Sequence, residues 1–341
     1  MRKSVKIAGL SIVGISVLLL SAFDQPKNNF SNETPIYELL KAFGEPMPKH
    51  APASMNEEIV KRGRDLVFEG RTIGPNGNKS KYISKFYTCV SCHSPIQEDP
   101  NLQFFDPQAR LDHAAKNNLK FLQGSTFYGI ANRESWYNDD YVLKYGALVE
   151  PASKDLAEAT QLCAKVCSSG RYLENWELEA ILAYYWSNQL KLGDLDLSDT
   201  EKENLAEAST GSNSEMVSLL KSKYARKSPA TFGHSPKNHR KGYASIKEGN
   251  PENGKKIYQL SCMSCHQEGG VSGISFGQTK LDFKKFKRNI GKKSNYNIYD
   301  IVRKGTYAGQ GKPRYMPLYP EERMSDQQLE DLRVYIEQEA K

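Results

Sequence analysis

The pentapeptide Cys89-Val-Ser-Cys92-His93 recurs as Cys262-Met-Ser-Cys265-His266. These two Cys-x-x-Cys-His motifs use four of the chain's six cysteines and constrain its folding more than any other feature. Two thiols about one helical turn apart match the two vinyl groups of a porphyrin, and the adjacent histidine reaches the iron from the proximal side. The motifs therefore imply two covalently bound haem c groups. Cys89, Cys92 and His93 would hold the first, and Cys262, Cys265 and His266 the second. Such a cofactor brings the redox chemistry, while the chain supplies ligands, burial and partner surfaces. A zinc cage built from both cysteine pairs is the competing reading, but it does not call for a histidine after each second cysteine. A thioredoxin-like pair would want a strand–helix pattern, which surrounds neither motif.

The N-terminus indicates the compartment. Met1-Arg-Lys-Ser-Val-Lys6 is basic, and Ile7 to Ala22 is an apolar run broken only by small residues and serine. This pattern reads as a secretory signal peptide. Ser21-Ala22-Phe23-Asp24 is a weak cleavage site, so residues 1–24 also fit an uncleaved anchor, though the run is short for a full span. Either way the basic flank stays in the cytoplasm and the body is exported. Haem c is attached outside the bacterial cytoplasm, so leader and motifs agree on the periplasm, with the protein soluble or tethered to the inner membrane. Apolar residues make up 38%, a modest share, and a buried macrocycle reduces the protein core that a small domain needs. Three of the +7 formal charges, on Arg2, Lys3 and Lys6, lie in the leader. The mildly basic remainder fits acidic redox partners and gives no sign of nucleic-acid binding.

In the second half, Pro251 to Leu260 predicts a helix that delivers Cys262, with proline in its first turn. About fifty residues after His266 comes Arg314-Tyr-Met316-Pro317-Leu, then an amphipathic helix through Leu329, Leu332, Tyr335 and Ile336 that Ser325 can cap. This order of haem motif, Met-Pro loop and terminal helix resembles the small monohaem class I cytochrome c over residues 251–341. The resemblance implies that Met316 is the distal iron ligand, and a thioether there raises the potential. A gap-filling core methionine is the alternative. Met324 lies too close to the helix start to compete.

The first half repeats this plan with changes. A helix over Asn56–Glu69 precedes the motif, Gly70–Lys81 reads as an inserted loop, and the run Leu173–Trp186 predicts the terminal helix. Leu178 aligns with Leu329 and Tyr184 with Tyr335. No methionine lies between Met55 and Met216, so the expected loop cannot supply a thioether. It holds Cys163-Ala-Lys-Val-Cys167-Ser-Ser-Gly170 instead. A thiolate from Cys167, nearer the turn than Cys163, would ligate the first iron and lower its potential. A Cys163–Cys167 disulfide competes with this reading in an oxidising compartment. His113, at an expected helix start, is a third candidate, and His50, His234 and His239 are weaker.

Gln161-Leu-Cys163, Gly170-Arg171 and the run from Trp176 to Tyr184 resemble thiosulfate dehydrogenases and other dihaem sulfur-oxidation cytochromes, as does Tyr128-Gly-Ile-Ala-Asn132-Arg133-Glu-Ser-Trp136. The likeness covers about residues 55–190. It implies a His/Cys haem beside which a thiosulfate sulfur could approach, with Cys167 as the catalytic residue if the chain is an enzyme. Arg133 is either a partner for a haem propionate or a solvated surface arginine, and Arg303 is a candidate propionate partner in the second half. The run Lys284 to Arg288 with Lys292 and Lys293 is either a basic rim that steers acidic partners or a solvated charged loop.

The expectation is an all-α protein. Residues 1–24 form the signal or anchor and 25–54 an extended leader. Cytochrome c-like domains occupy 55–190 and 251–341, joined by a polar, partly helical linker over 191–250. Its expected work is single-electron transfer between periplasmic redox partners, with a thiosulfate-type oxidoreductase as the alternative.

Overall fold

The computed structural model describes residues 28–292, 297–306 and 314–341. The leader reading of residues 1–24 falls outside them. The described residues are helical, with isolated bridges in place of strands, so the all-α expectation holds. Among them no helix is long and apolar enough to cross a membrane.

Each half is built on one crossed pair of helices. In the first, the entry helix Glu57–Glu69 starts where the Asn56 side chain accepts from the Ile59 amide and stops at Gly70, whose φ of 70° suits the left-handed cap. It packs against the closing helix Asn175–Ser187. In the second, Pro251–Ile257 widens through Tyr258–Cys262 and continues as Met263–His266, which carries the haem motif on the end of the entry helix. Its partner is the closing helix Asp326–Glu339, where Ser325 accepts from the Gln328 amide as expected of a cap. Both crossings are close because of a glycine. A Cβ on Gly63 would meet the Ala180 carbonyl and stand 2.9 Å from Tyr184 Cβ. A Cβ on Gly254 would meet the Asp331 carbonyl and stand 2.6 Å from Tyr335 Cβ. Tyr184 and Tyr335, paired by sequence alignment, thus hold matching places in the two halves.

Three apolar cores follow. One lies in the first half, around Leu66, Trp136, Leu156 and Ile181. Another lies in the second half, around Ile257, Leu329, Leu332 and Ile336, and also takes Leu111, Ala114 and Phe121 from the first. The third packs Ile36, Leu39, Leu40 and Phe43 against Trp186, Leu205, Met216 and Leu220. The leader expected to be extended therefore contains the helix Ile36–Ala42. Its apolar residues recur at i, i+3, i+4 and i+7, a helical stripe that the surrounding prolines obscure. Linker helices Asp199–Glu207 and Ser214–Ser222 complete that core through Leu205, Met216 and Leu220.

Candidate functional site: two facing clefts

Each Cys-x-x-Cys-His motif opens onto an apolar cleft, of about 200 Å³ in the first half and about 400 Å³ in the second. Cys89, Cys92 and His93 line the first, and Cys262, Cys265 and His266 the second. Burial pushes the Cys89 and Cys262 thiols up to about 12, so both are neutral.

The histidines are prepared in the same way. His93 Nδ1 lies 2.6 Å from the Ser125 carbonyl, and His266 Nδ1 lies 2.9 Å from the Ile274 carbonyl. A carbonyl only accepts, so each Nδ1 carries the proton and each Nε2 keeps a free lone pair, the form a metal ligand needs. Desolvation lowers both imidazole pKa values, which also favours the neutral ring. Phe127 stacks on His93 at 4.7 Å, and Phe276 on His266 at 3.8 Å. Gly124 must lack a side chain, because a Cβ would lie 2.6 Å from both His93 Nδ1 and the Cys92 carbonyl.

The helix Leu156–Leu162 opens into a wide turn, Cys163–Cys167, and both of its cysteines line the first cleft. Such single wide turns recur at functional sites. All six cysteines are free. The expected alternative of a disulfide is not formed; Cys163 and Cys167 are free neighbours on one helix face, and their interaction together with burial holds the Cys163 thiol well above its ordinary range. The neighbouring Cys163 thiol, aided by the Tyr137 and Tyr315 hydroxyls, brings the Cys167 thiol down to about 7 against the opposing effect of burial. Tyr137 Oη is 3.6 Å from Cys167 Sγ, and Tyr137 is held at φ 48°, a strained conformation for an aromatic residue.

Met316 and Met324 both line the second cleft. The Met316 backbone is clamped. Its amide donates to Thr306 Oγ1 at 2.8 Å, its carbonyl accepts from the Thr306 amide at 2.9 Å, and Gly305 at φ 67° lets the carbonyl approach.

The other candidates lie elsewhere. His113 lines neither cleft. Its helix begins at Pro107 under an Asp106 cap, so His113 sits near the end rather than at the expected start. His50 is buried beside Trp136 and Trp186, with Nε2 2.8 Å from the Ala131 carbonyl. Arg133 is buried rather than solvated and donates to Ser228 Oγ at 2.8 Å. Arg303 braces the Met324 carbonyl at 2.7 Å and the Asp326 carboxylate at 2.6 Å, away from the second cleft.

Sequence reading missed the wall between the clefts. Tyr87, Cys92, Gln123, Tyr315 and Pro317 line both. Tyr87 Oη donates to the Tyr315 carbonyl at 2.9 Å and accepts from the Tyr315 amide at 2.8 Å. Tyr315 Oη donates to the Cys167 carbonyl at 2.7 Å. Tyr315 thus serves both clefts, while its neighbour Met316 lines only the second.

The donor sets and apolar walls fit c-type haem. The zinc-cage alternative does not fit, because among the described residues no three His, Cys, Asp or Glu side chains gather around a common point. A helix pair, a Cys-x-x-Cys-His motif on a neutral imidazole and a methionine in the lining of the same cleft define the second half as a c-type cytochrome domain. Residues 249–336 match the family model of cytochrome c oxidase, cbb3-type, subunit III, and the first half lies outside that match. A cytochrome c domain therefore occupies the C-terminal part of the chain, holds covalently bound haem c and takes part in electron transfer with redox protein partners. No curated protein and no solved structure matches the chain.

Proposed function

We propose that the chain is an exported dihaem c-type cytochrome that carries single electrons between periplasmic redox partners, in solution or tethered to the inner membrane by residues 1–24. One observation carries this reading. The first motif, outside the family match, has the same neutral, Nδ1-donating histidine and apolar cleft as the second. Its ligands would be His93 and Cys167, and those of the second haem His266 and Met316. Haem c supplies one-electron iron chemistry when bound. The chain excludes water, fixes the imidazole tautomers and presents sulfur donors of different kinds. Thiolate donation lowers a haem potential and thioether donation raises it, so the halves would differ in potential. The basic leader supports export, and the matched family name makes a terminal oxidase a reasonable electron acceptor. Haem quantitation together with intact mass tests the count, and one haem per chain would refute it. Low-temperature EPR of the oxidised holoprotein and of Cys167→Ala tests the ligand. A low-spin thiolate signal lost in the variant is expected, and an unchanged spectrum removes Cys167 from the iron.

The second reading is an oxidoreductase that acts on thiosulfate or a similar inorganic sulfur compound at the first cleft. The near-neutral Cys167 thiol beside strained Tyr137 favours it. Thiosulfate added to the oxidised holoprotein alone should then reduce its haems, and no spectral change would dismiss the reading.

A further inference from the structure

Three tyrosines stand in file from the first cleft to the protein surface. Tyr137 Oη lies 3.6 Å from Cys167 Sγ. The Tyr137 and Tyr141 rings meet edge to face at 5.3 Å, and the Tyr141 and Tyr145 rings stack at 6.0 Å. Both spacings are those of direct ring contact. Tyr137 and Tyr141 line the cleft, whereas Tyr145 is 39% exposed.

The backbone is bent to make this file. Tyr137 at φ 48° and Asp139 at φ 52° both hold left-handed conformations that disfavour side chains. The helix Asp140–Tyr145 then sets Tyr141 and Tyr145 four residues apart on one face. The linker braces it, because the Asp140 carboxylate accepts from the Phe232 amide at 2.6 Å and the Phe232 ring meets Tyr141 at 4.8 Å. At the outer end Val142, Leu143 and Leu148 are exposed beside Tyr145, Leu143 by 83%. None of these four joins an apolar core among the described residues. Exposed apolar side chains about an aromatic one are the composition of an interface centre.

We infer that Tyr137, Tyr141 and Tyr145 carry electrons between the first haem and the surface, where a one-electron redox protein with an apolar contact face meets Tyr145. This rests on the dihaem reading above. The tyrosines act as neutral bridges. One electron leaves the reduced centre and arrives at the oxidised one, no bond forms or breaks, and no proton moves. Touching π systems shorten the insulating gaps that limit tunnelling. The first half then exchanges electrons with a partner directly, without routing them through the second.

The test is flash photolysis of the full-length holoprotein carrying a ruthenium photosensitiser at Leu143→Cys, with haem quantitation alongside. Wild type treated with the same reagent controls for uptake at Cys163 and Cys167. The injected electron should reach the first haem before the second. Tyr141→Leu in the labelled protein should slow that step several-fold without moving either haem potential. Tyr141→Phe keeps the ring and should retain most of the rate. In a second measurement, oxidation of the first haem by a ferric class I cytochrome c, used as the probe, should slow several-fold in Tyr145→Leu and in Leu143→Asp. Both of these changes are at exposed positions, so they decide the matter if Tyr141→Leu fails to fold. Two haems with unchanged rates in the variants would overturn the inference and leave the dihaem reading intact. Unchanged rates with a dimer that Leu143→Asp disperses would give the patch to a second copy of the chain and also overturn it. One haem per chain would remove both.

Discussion

Gly254→Ala tests the close helix crossing that aims the second haem motif. The new methyl would meet the Asp331 carbonyl and stand 2.6 Å from Tyr335 Cβ. Ordinary carbon–carbon contact begins near 3.5 Å, so the entry and closing helices must part by about 1 Å. The obstacles are a backbone carbonyl and a Cβ, which no rotamer change can move. Alanine gains about 1 kcal/mol of helix propensity over glycine. Overpacking against rigid neighbours costs about 1–3 kcal/mol or more and here involves two contacts at once. A net loss of about 1–3 kcal/mol is expected, read as a lower urea midpoint by circular dichroism. The entry helix runs directly into Cys262, so the spectrum of the haem in this domain should broaden as well. Gly63→Ala should act likewise on the first half through Ala180 and Tyr184. The reasoning fails if Gly254→Ala is as stable as the wild type or more so, because propensity would then have won at an open crossing.

Glu98→Ala would leave Arg110 and Arg323 buried without their shared carboxylate. A loss of about 3–5 kcal/mol is expected in chemical denaturation, and a loss below 1 kcal/mol would show that water reaches the cluster. Burial lowers the His50 pKa below its ordinary value of about 6.5. Folded His50 stays neutral where the unfolded chain takes up a proton, so its contribution is complete above about pH 6.5 and is lost as pH falls toward the lower folded value, at up to about 1.4 kcal/mol per pH unit. His50→Gln, which can still donate to the Ala131 carbonyl, should flatten that acid limb of the stability curve. An unaltered limb would assign it to other groups. Lys284 and Lys287 are exposed on the helix Lys280–Ile290, while Phe283 on the same helix is buried. Their conversion to glutamate should slow electron exchange with an acidic redox protein and weaken its salt dependence. A rate insensitive to salt in the wild type would mean that this face steers no partner.

What could be read from the sequence is what is local along it. The cytochrome c domain of the second half declares itself because attachment chemistry needs adjacent residues, and Ser325 marks a helix start because capping is settled within one turn. The features that were not legible depend on contacts made by the folded backbone. The carbonyls of Ser125 and Ile274 that orient the histidines carry no motif, since any residue offers a carbonyl. Phe127 and Phe276 look like ordinary core residues until the imidazoles lie on them. Gly63 and Gly254 are unremarked helical glycines until a second helix crosses them. Arg323 bonds to Glu98 across 225 positions, and no periodicity spans such a distance. The expected boundary at residue 190 groups Leu111 and Phe121 with the first half, although they pack into the core of the second. Short-range patterns do not tell which core an apolar residue joins.

The partition built on Tyr87 and Tyr315 has a consequence for the making of the protein. Tyr315, Pro317, Leu318, Pro320 and Arg323 roof the first cleft, yet they leave the ribosome long after Cys89 and His93. The first cleft therefore stays open through most of synthesis, and it closes only when residues 315–323 dock. A chain that stalls before that segment presents a sulfur-lined, greasy opening to whatever it meets. Any group that reaches the earlier motif has its natural interval before the later half folds down over it.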